Sequence, residues 1–324
     1  MPLAPPDPAS RGGRVLITGA AGFVGSHLTR RCVAEGREVH VLLRPETDAE
    51  RLKDILPAIR VHRLLIGDRA ALRACLDGAR PTHIYHLAFG TARRHDRSLS
   101  GAAPLISDLA DLLVLVEQAA DSTPPPRFFL RTGSIAEYGE APTPFREEQR
   151  EQPNTAYAAA IVAGTHYAGA VAPSLPFPLV TARLALVYGA GQAADFLVPG
   201  LVSAYLSRQP FTIRRPLDRR DPIHVEDAVD ALCRLADAPP EGGTIVNIGS
   251  GGTIGVGELA ERIAGLVGAG TDHILRMPQT DPVALHLAIG RMQALTGWSP
   301  RIGLDEGLAA LIADMRRGRV AEAA

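Results

Sequence analysis

Short apolar segments alternate with amphipathic segments along the first half of the chain. Residues 15–17 form an apolar run, and residues 23–35 then repeat apolar side chains at helical spacing until Gly36 ends the pattern. Strands that alternate with helices at this rhythm indicate right-handed βαβ units and a parallel sheet. The predicted strands are 15–17, 39–43, 61–66, 83–87, 179–184, 244–248 and one that begins at 128–130, and the predicted helices are 23–35, 70–76, 105–116 and 155–172.

The pattern loosens in the C-terminal part of the chain, after about residue 185. Helices are predicted at 196–207, 225–236, 257–267 and 304–317, with short strands and loops between them. This indicates a smaller lobe that interleaves with the sheet and sits over the carboxyl ends of its strands, where open α/β sheets bind ligands. The predicted fold class is therefore α/β, with a doubly wound parallel sheet of the Rossmann type and a smaller C-terminal lobe.

A glycine-rich turn joins the first predicted strand to the first predicted helix. Gly19, Gly22 and Gly25 have the spacing Gly-x-x-Gly-x-x-Gly. Such glycines let the turn close, let the backbone approach a pyrophosphate and let the helix pack closely on the strand. The helix N-terminus, with Phe23 and Val24, adds unpaired N–H groups and the positive end of the helix dipole. The strand, turn and helix in succession favour a dinucleotide-binding site over a plain tight turn.

The residue after the second predicted strand indicates which dinucleotide binds. An acidic residue there would hydrogen-bond the 2′-hydroxyl of the adenosine ribose, but the sequence has Arg44 and no acid. A guanidinium suits a 2′-phosphate, so we expect NADP(H), with NAD(H) possible. The alternative is a solvated arginine in a loop.

The glycine spacing resembles the fingerprint of the short-chain dehydrogenase/reductase superfamily, and the chain length of 324 residues suggests its extended branch, the NAD-dependent epimerase/dehydratase family. Gly67-Asp68 and His86-Leu87-Ala88 are similar to cofactor-side segments of that family, which implies that Asp68, Leu87 and Ala88 contact the cofactor. The implied divisions are a disordered leader at 1–12, an NAD(P)-binding domain at 13–184 that parts of 221–249 complete, and a mainly substrate-binding lobe at 185–324.

The segment after the fifth predicted strand is similar to the family's serine-rich segment that ends in Tyr-Gly. The resemblance implies that Ser134 polarises a substrate carbonyl and that Tyr138 contacts substrate. The form Gly-Ser-x-x-Glu-Tyr-Gly resembles that of reductases acting on GDP-linked 4-keto-6-deoxyhexoses. The adjacent Asp-Glu pair of the sugar-nucleotide 4,6-dehydratases is missing, which disfavours a dehydratase. The alternative is a serine and a tyrosine that merely close a loop.

The helix predicted at 155–172 carries the clearest departure from the family. Tyr157 matches the catalytic tyrosine of Tyr-x-x-x-Lys, but Ile161 stands at the lysine position, and Lys53, the only lysine, is not expected to replace it. A neighbouring ammonium lowers the pKa of a tyrosine from about 10, which helps most when the tyrosine acts as a base. In a ketone reductase the tyrosine instead donates a proton, so the loss of the lysine favours a reductase over an epimerase. The change is also compatible with a non-catalytic homologue.

Later segments resemble the substrate side of nucleotide-sugar enzymes. Arg220 lies in a segment similar to Arg-Asp-x-Ile-His-Val-x-Asp, which implies that it binds a diphosphate, because a guanidinium fork suits phosphate oxygens. Three positions depart from the family: Leu186 replaces an asparagine, Asp108 stands where an active-site helix usually has an asparagine, and Asp111 replaces a glycine.

Composition and charge limit the partners and the cellular location expected for the protein. The formal net charge of -1 gives no electrostatic case for nucleic acid or an anionic membrane. The three cysteines show no spacing for a metal site or a disulfide framework, and no apolar run is long enough to span a membrane, so we expect a cytoplasmic protein without a metal. Small residues crowd the helix predicted at 155–172, which predicts a homodimer through a four-helix interface or else close packing within one chain.

Together these features predict an NADPH-dependent oxidoreductase that reduces a nucleotide-linked 4-keto(-6-deoxy) sugar. Tyr157 would donate the proton and Ser134 would polarise the carbonyl. The alternatives are a nucleotide-sugar epimerase with tightly bound NAD and a homologue that lost turnover with the lysine. The predicted cofactor-binding residues are Gly19, Gly22, Phe23, Val24, Gly25, Arg44, Asp68, Leu87, Ala88 and Tyr157, and the predicted substrate-binding residues are Ser134, Tyr138 and Arg220.

Overall fold

A seven-stranded parallel sheet lies at the centre of the fold. The computed structural model describes residues 13–90 and 102–322, so the predicted leader at 1–12 lies outside the described residues. The strands of this sheet are β1 (Arg14–Thr18), β2 (Glu38–Leu43), β3 (Ile59–Arg63), β4 (His83–His86), β5 (Phe128–Ser134), β6 (Leu179–Leu184) and β11 (Ile245–Ile248). Shorter strands are β7 (Leu186–Tyr188), β8 (Phe211–Ile213), β9 (Arg219–Arg220), β10 (Pro222–His224), β12 (Ile254–Gly255) and β13 (Ile274–Arg276).

The strand order of the large sheet is β11-β6-β5-β4-β1-β2-β3. The chain runs outward from β1 to β3 on one side and from β4 to β11 on the other, so the order reverses between β1 and β4. All of these strands are parallel, and their carboxyl ends therefore meet at one edge. Ligands of doubly wound sheets bind in the crevice at this reversal.

Helices cover both faces of the sheet. Alternate residues of β1 are buried on opposite faces of the sheet. Val15 and Ile17 pack in the core cluster that contains α1 and α6 residues, and Leu16 packs in the cluster that contains α2 and α3 residues. Burying a side chain of this size contributes about 1.5–3 kcal/mol. The helices are α1 (Phe23–Ala34), α2 (Arg69–Ala79), α3 (Ala102–Ala120), α4 (Ala156–Val171), α5 (Leu197–Ser207), α6 (Val225–Asp237), α7 (Val256–Val267), α8 (Gly290–Thr296) and α9 (Leu304–Glu322).

A third apolar cluster forms the C-terminal lobe from α5, α7 and α9. Leu201, Leu259 and Leu308 are fully buried in it. The chain enters this lobe from the carboxyl end of β6, through β7, and returns to the large sheet at β11. This lobe therefore begins at the strand edge where the glycine turn and Ser134 also lie.

The α/β class and the parallel sheet are confirmed, and the largest shift of a predicted strand is that of β3. β3 covers residues 59–63 rather than 61–66, because it is the edge strand and alternate exposure weakens its apolar pattern. β5 begins at Phe128, as predicted, and runs to Ser134, because Arg131 to Ser134 continue the pairing with β6.

Candidate active site

The turn after β1 leaves no room for side chains at its glycines. Gly19 has a φ of +71°, and a Cβ there would lie 2.7 Å from the backbone nitrogen of Ala88. A Cβ on Gly25 would lie 2.1 Å from the carbonyl oxygen of Gly19. Gly22 begins α1 without a side-chain cap, and the first turn of α1 has no acidic residue. The turn is thus a backbone cradle at a helix N-terminus, where the first N–H groups have no partner within the helix, and this fits a pyrophosphate.

The segment after β4 lies directly beside this cradle. The N–H of Leu87 donates to the carbonyl of Thr18 (3.2 Å), and the N–H of Ala88 donates to the Thr18 hydroxyl (3.4 Å). Phe89 continues the segment, and its ring meets the Tyr157 ring edge to face, with 5.8 Å between the ring centroids. The structure therefore brings the glycine turn, Leu87, Ala88 and Tyr157 together at the point where the strand order reverses.

Arg44 follows β2 and already has a carboxylate partner. Its Nη2 donates to Oδ1 of Asp108 (2.8 Å), and the other carboxylate oxygen of Asp108 accepts from the N–H of Gly90 (2.7 Å). The Arg44 side chain is 53% exposed, whereas Asp108 is buried. Burial raises the pKa of the nearby Asp111 carboxyl, with Asp108 adding to the rise and Arg44 opposing it. The residue predicted to meet a 2′-phosphate is thus paired with one carboxylate, that of Asp108.

Asp68 has a local structural role in this site. Its side chain caps α2, because Oδ1 accepts from the N–H of Ala71 (3.1 Å). A carboxylate at this position also interacts favourably with the positive end of the helix dipole. Its predicted contact with the cofactor stays a prediction.

Ser134 begins a short 3-10 turn at 135–138 that packs against α4. Its hydroxyl oxygen accepts from the N–H of Ala136 (3.1 Å), and Glu137 accepts from the N–H of Ser134 (3.0 Å). Within the described part of the chain the Ser134 hydroxyl donates to no residue, so its proton is available to a ligand. Tyr157 stands in the first turn of α4, partly exposed, after the Thr155 cap.

Tyr138 occupies a different place from the one predicted for a substrate contact. It is fully buried, and its hydroxyl donates to Oδ1 of Asn247 (2.8 Å). Its ring stacks on Phe145, with 4.8 Å between the centroids, and the Arg183 guanidinium lies 4.5 Å from its centroid. Burial raises the pKa of Tyr138 to about 12. Tyr138 therefore packs beneath the site, because the 3-10 turn directs its ring into the core.

Arg220 lines a cavity in the C-terminal lobe. The cavity has a volume of about 370 Å³, and Arg214 and Arg215 also line it. Nη2 of Arg220 donates to Asp218 (2.8 Å). Burial opposes ionisation of Asp218, but hydrogen bonds from Arg215, the Val283 N–H, Gln279 and Arg220 outweigh it and lower the pKa of Asp218 to about 2. Asp218 is therefore an anion that orients guanidinium groups at the cavity.

Comparison with known proteins identifies the family of the chain. The model of the NAD dependent epimerase/dehydratase family matches residues 15–249. The chain belongs to this family. It is an oxidoreductase-type enzyme of the extended short-chain dehydrogenase/reductase superfamily, as the sequence motifs predicted.

Two curated relatives and one solved structure illustrate the similarity. A probable UDP-glucuronate 4-epimerase of Rhizobium meliloti (strain 1021) is 28% identical, over 92% of this chain and 96% of that protein. A dTDP-6-deoxy-L-talose 4-dehydrogenase (NAD(P)(+)) of Kitasatospora kifunensis is 28% identical, over 91% of this chain and 93% of that protein. The structure of MoeE5 in complex with UDP-glucuronic acid and NAD is 27% identical, with a TM-score of 0.82, over 94% of this chain and 100% of that chain.

Ile161, which stands at the lysine position of the predicted Tyr-x-x-x-Lys motif, lies in α4. The side chain is buried in α4, 2% exposed, one turn after Tyr157. Lys53 is 68% exposed and pairs with Glu50 on the surface, so it does not replace the missing lysine. None of the described helices is both long enough and apolar enough to cross a membrane.

The sequence analysis missed a buried charged cluster beneath the site. Glu137 is fully buried, and its Oε2 accepts from Arg183 Nε (2.9 Å) and from the Thr165 hydroxyl (2.7 Å). Arg183 also pairs with Glu151. The only signal in the sequence was that Arg183 lies within the apolar strand predicted at 179–184, where charged residues are uncommon unless paired.

Proposed function

We propose that this enzyme uses NADPH to reduce a nucleotide-linked 4-keto(-6-deoxy) sugar. The observation that carries the proposal is the placement of Tyr157. It lies in the first turn of α4, beside Phe89 of the cofactor-side segment, and α4 packs against the turn that begins at Ser134. The names of the relatives, a sugar-nucleotide 4-epimerase and a 6-deoxysugar 4-dehydrogenase, support carbonyl chemistry at carbon 4.

A bound nicotinamide dinucleotide supplies the hydride for this reduction. The Ser134 hydroxyl, held through its oxygen by the Ala136 N–H, keeps its proton and donates a hydrogen bond to the substrate carbonyl oxygen, which stabilises the developing charge. The Tyr157 phenol gives its proton to the same oxygen, which completes the alcohol. The backbone N–H groups of the glycine turn bind the cofactor pyrophosphate, and Arg220 binds the substrate diphosphate.

The proposed preference for NADP(H) rests on the positive charge of Arg44. The ion pair with Asp108 competes with a 2′-phosphate for this guanidinium. We expect Asp108→Asn to strengthen NADPH binding about fivefold, because a half-exposed ion pair is worth up to about 1 kcal/mol. The asparagine can still accept from the Gly90 N–H, whereas Arg44 is released to a 2′-phosphate. Calorimetric titration with NADPH and NADH measures the effect.

The control for this variant is Asp121→Asn, which removes a more exposed carboxylate at the end of α3. NADPH affinity should not change in it. An equal gain for NADH and NADPH in Asp108→Asn would contradict the role of Arg44, because NADH has no 2′-phosphate.

The epimerase alternative is favoured by the printed names of relatives, and by NAD in the MoeE5 structure. The test uses purified protein with NADPH and a panel of UDP-, dTDP- and GDP-linked 4-keto-6-deoxyhexoses. A reductase converts one NADPH for each sugar reduced. An epimerase interconverts 4-hydroxy sugars with no net use of added cofactor. Cofactor binding without either reaction would support the non-catalytic homologue.

The predicted homodimer stays a proposal about α3 and α4. Ile106 on α3 is 63% exposed and Tyr167 on α4 is 39% exposed, and Ala159 and Ala163 lie on the exposed side of α4. Other small residues of α4, such as Gly164, pack within the chain. A particle mass of twice the chain mass, measured by sedimentation equilibrium, would support the dimer. A particle mass equal to that of one chain would exclude it.

A further inference from the structure

Two arginines of the C-terminal lobe share one oxygen of a buried carboxylate. Nε of Arg215 donates to Oδ2 of Asp218 (2.9 Å), and Nη2 of Arg220 donates to the same oxygen (2.8 Å). Asp218 is 1% exposed, whereas the side chains of Arg215 and Arg220 are 41% and 23% exposed. The carboxylate therefore holds two partly exposed guanidinium groups next to each other.

The turn that carries this pair is anchored on the start of α7. The N–H of Gly257 donates to the carbonyl oxygen of Pro216, and the N–H of Val256 donates to that of Asp218, both at 2.8 Å. The first N–H groups of a helix have no partner within the helix, so the turn satisfies two of them. A Cβ on Gly257 would lie 3.2 Å from the Pro216 oxygen, and the glycine therefore permits this close approach.

A second anchor comes from the segment that follows β13. Nε2 of Gln279 (2.5 Å) and the N–H of Val283 (2.9 Å) donate to Oδ1 of Asp218. Both oxygens of the carboxylate are thus bound, and Asp218 cannot turn away from the arginines without losing these bonds. The two guanidinium groups are therefore held in place before a ligand arrives, which lowers the entropic cost of binding.

Arg215 retains N–H groups for a ligand. Its Nη2 donates to the backbone carbonyl oxygen of Asp281, and its Nη1 lies 3.6 Å from Oδ1 of that residue. The Asp281 side chain is 80% exposed, and exposed ion pairs of this kind contribute little. A guanidinium has five N–H groups, and the remaining ones of Arg215 donate to no residue that the structure describes.

The cavity of about 370 Å³ in this lobe is lined by both guanidinium groups and by mainly apolar side chains. The apolar lining residues are Leu186, Phe196, Leu197, Phe211, Ile213 and Val256. A few charged groups among apolar and aromatic side chains are typical of small-molecule sites. A nucleoside diphosphate fits this lining, because it joins a flat base to two adjacent phosphates, and guanidinium forks suit phosphate oxygens.

We propose that Arg215 is a second ligand of the substrate's diphosphate and binds it together with Arg220. The inference rests on the proposed function in that the substrate is a nucleotide-linked sugar. Asp218 holds both guanidinium groups in place and does not itself contact the ligand. One carboxylate against two guanidinium groups leaves a net positive charge, which a diphosphate requires.

The test is calorimetric titration of the full chain with UDP, dTDP, CDP and GDP, with NADPH in excess so that the glycine turn is occupied. The diphosphate that the unmodified protein binds most tightly is then used with the variants. Arg215→Met should weaken its binding about tenfold, the effect of losing one hydrogen bond to a charged group, and should leave NADPH affinity unchanged. Absence of binding by the unmodified protein to all four diphosphates overturns the proposal.

Two conservative variants separate the charge of Arg215 from its structural bond. Arg215→Gln places an amide nitrogen where the arginine has Nε, so it can still donate to Asp218, but it has no charge. It should lose about as much affinity as Arg215→Met. Arg215→Lys keeps the charge without the fork and should lose only about threefold. Full affinity in Arg215→Gln would show that only the bond to Asp218 matters, and this result overturns the proposal.

Arg214→Met and Arg262→Met are the matched controls. Arg214 lines the same cavity, but it is exposed and makes no hydrogen bond or ion pair with any residue in the described part of the chain. Ordering such a side chain offsets its attraction for a phosphate, so at most about a twofold loss is expected. Arg262 pairs with Asp305 on the surface and should have no effect. Equal losses in Arg214→Met and Arg215→Met would indicate a diffuse effect of charge and contradict the proposed pair.

The variants are expected to fold, because the Arg215 side chain is 41% exposed, and unfolding in urea checks this. If Arg215→Met does not fold, Arg215→Gln decides by the same criterion. Failure of the proposed reductase activity would leave these nucleotide titrations unaffected, so the two failures are distinguishable.

Discussion

Tyr157→Phe is expected to lower kcat/KM for the reduction about 10²–10⁴-fold, the usual contribution of a positioned general acid. The variant keeps the ring that meets Phe89 but has no proton to give to the carbonyl oxygen. NADPH binding should be largely retained, because the variant removes only the Tyr157 hydroxyl and leaves the glycine turn and Arg44 untouched. Steady-state kinetics with the best sugar of the panel, together with calorimetry for NADPH, measure both quantities.

Tyr167→Phe provides the matched control for this experiment. Tyr167 lies on the same helix, 39% exposed, and has no place in the proposed site. Removing the Tyr167 hydroxyl should leave kcat/KM for the reduction unchanged. Full reductase activity in Tyr157→Phe would rule out this tyrosine as the proton donor, whereas equal losses in both variants would indicate a general effect on α4.

Glu137→Ala should lower the free energy of unfolding by about 3–5 kcal/mol, the range for breaking a buried ion pair. Glu137 and the Arg183 side chain are fully buried, so the substitution leaves a charged guanidinium with Glu151 alone. It also removes the acceptor of the Thr165 hydroxyl and of the Ser134 N–H. Equilibrium unfolding in urea, followed by circular dichroism, measures the loss.

Glu261→Ala is the comparison for this second variant. Glu261 pairs with Arg276 on the surface, and the two side chains are 59% and 38% exposed. Exposed pairs contribute at most about 1 kcal/mol, so the unfolding curve should move little. Similar losses in both variants would contradict the view that burial is what makes the Glu137 pair important.

Tyr157→Phe tests the proposed proton donor, whereas Glu137→Ala tests the buried charged cluster. Glu137 shapes the turn that begins at Ser134 through the bond to its N–H, and it reaches Arg131 through Thr165. The charged cluster therefore supports the turn that begins at Ser134.

The sequence by itself determined the order of the elements and the cofactor turn. Alternating strands and helices predicted the parallel sheet because periodicity is a local property of the chain. Gly19 and Gly25 predicted the cradle because close backbone approach permits only glycine there. The resemblance to the family's Tyr-x-x-x-Lys motif singled out Tyr157 and the change at Ile161, and helix spacing places these residues i and i+4 on one face.

Only the tertiary structure decided which charges meet. Asp108 reaches Arg44 across 64 positions and Arg183 reaches Glu137 across 46, and neither pairing has a local pattern. The burial of Tyr138 likewise depends on Asn247 and Phe145, which come from other parts of the chain. Local spacing determines how a residue sits on its own element, but its partner depends on strand order and helix packing. The hydrogen bond from Arg131 to the carbonyl oxygen of Ile161 therefore became visible only once β5 and α4 were packed together.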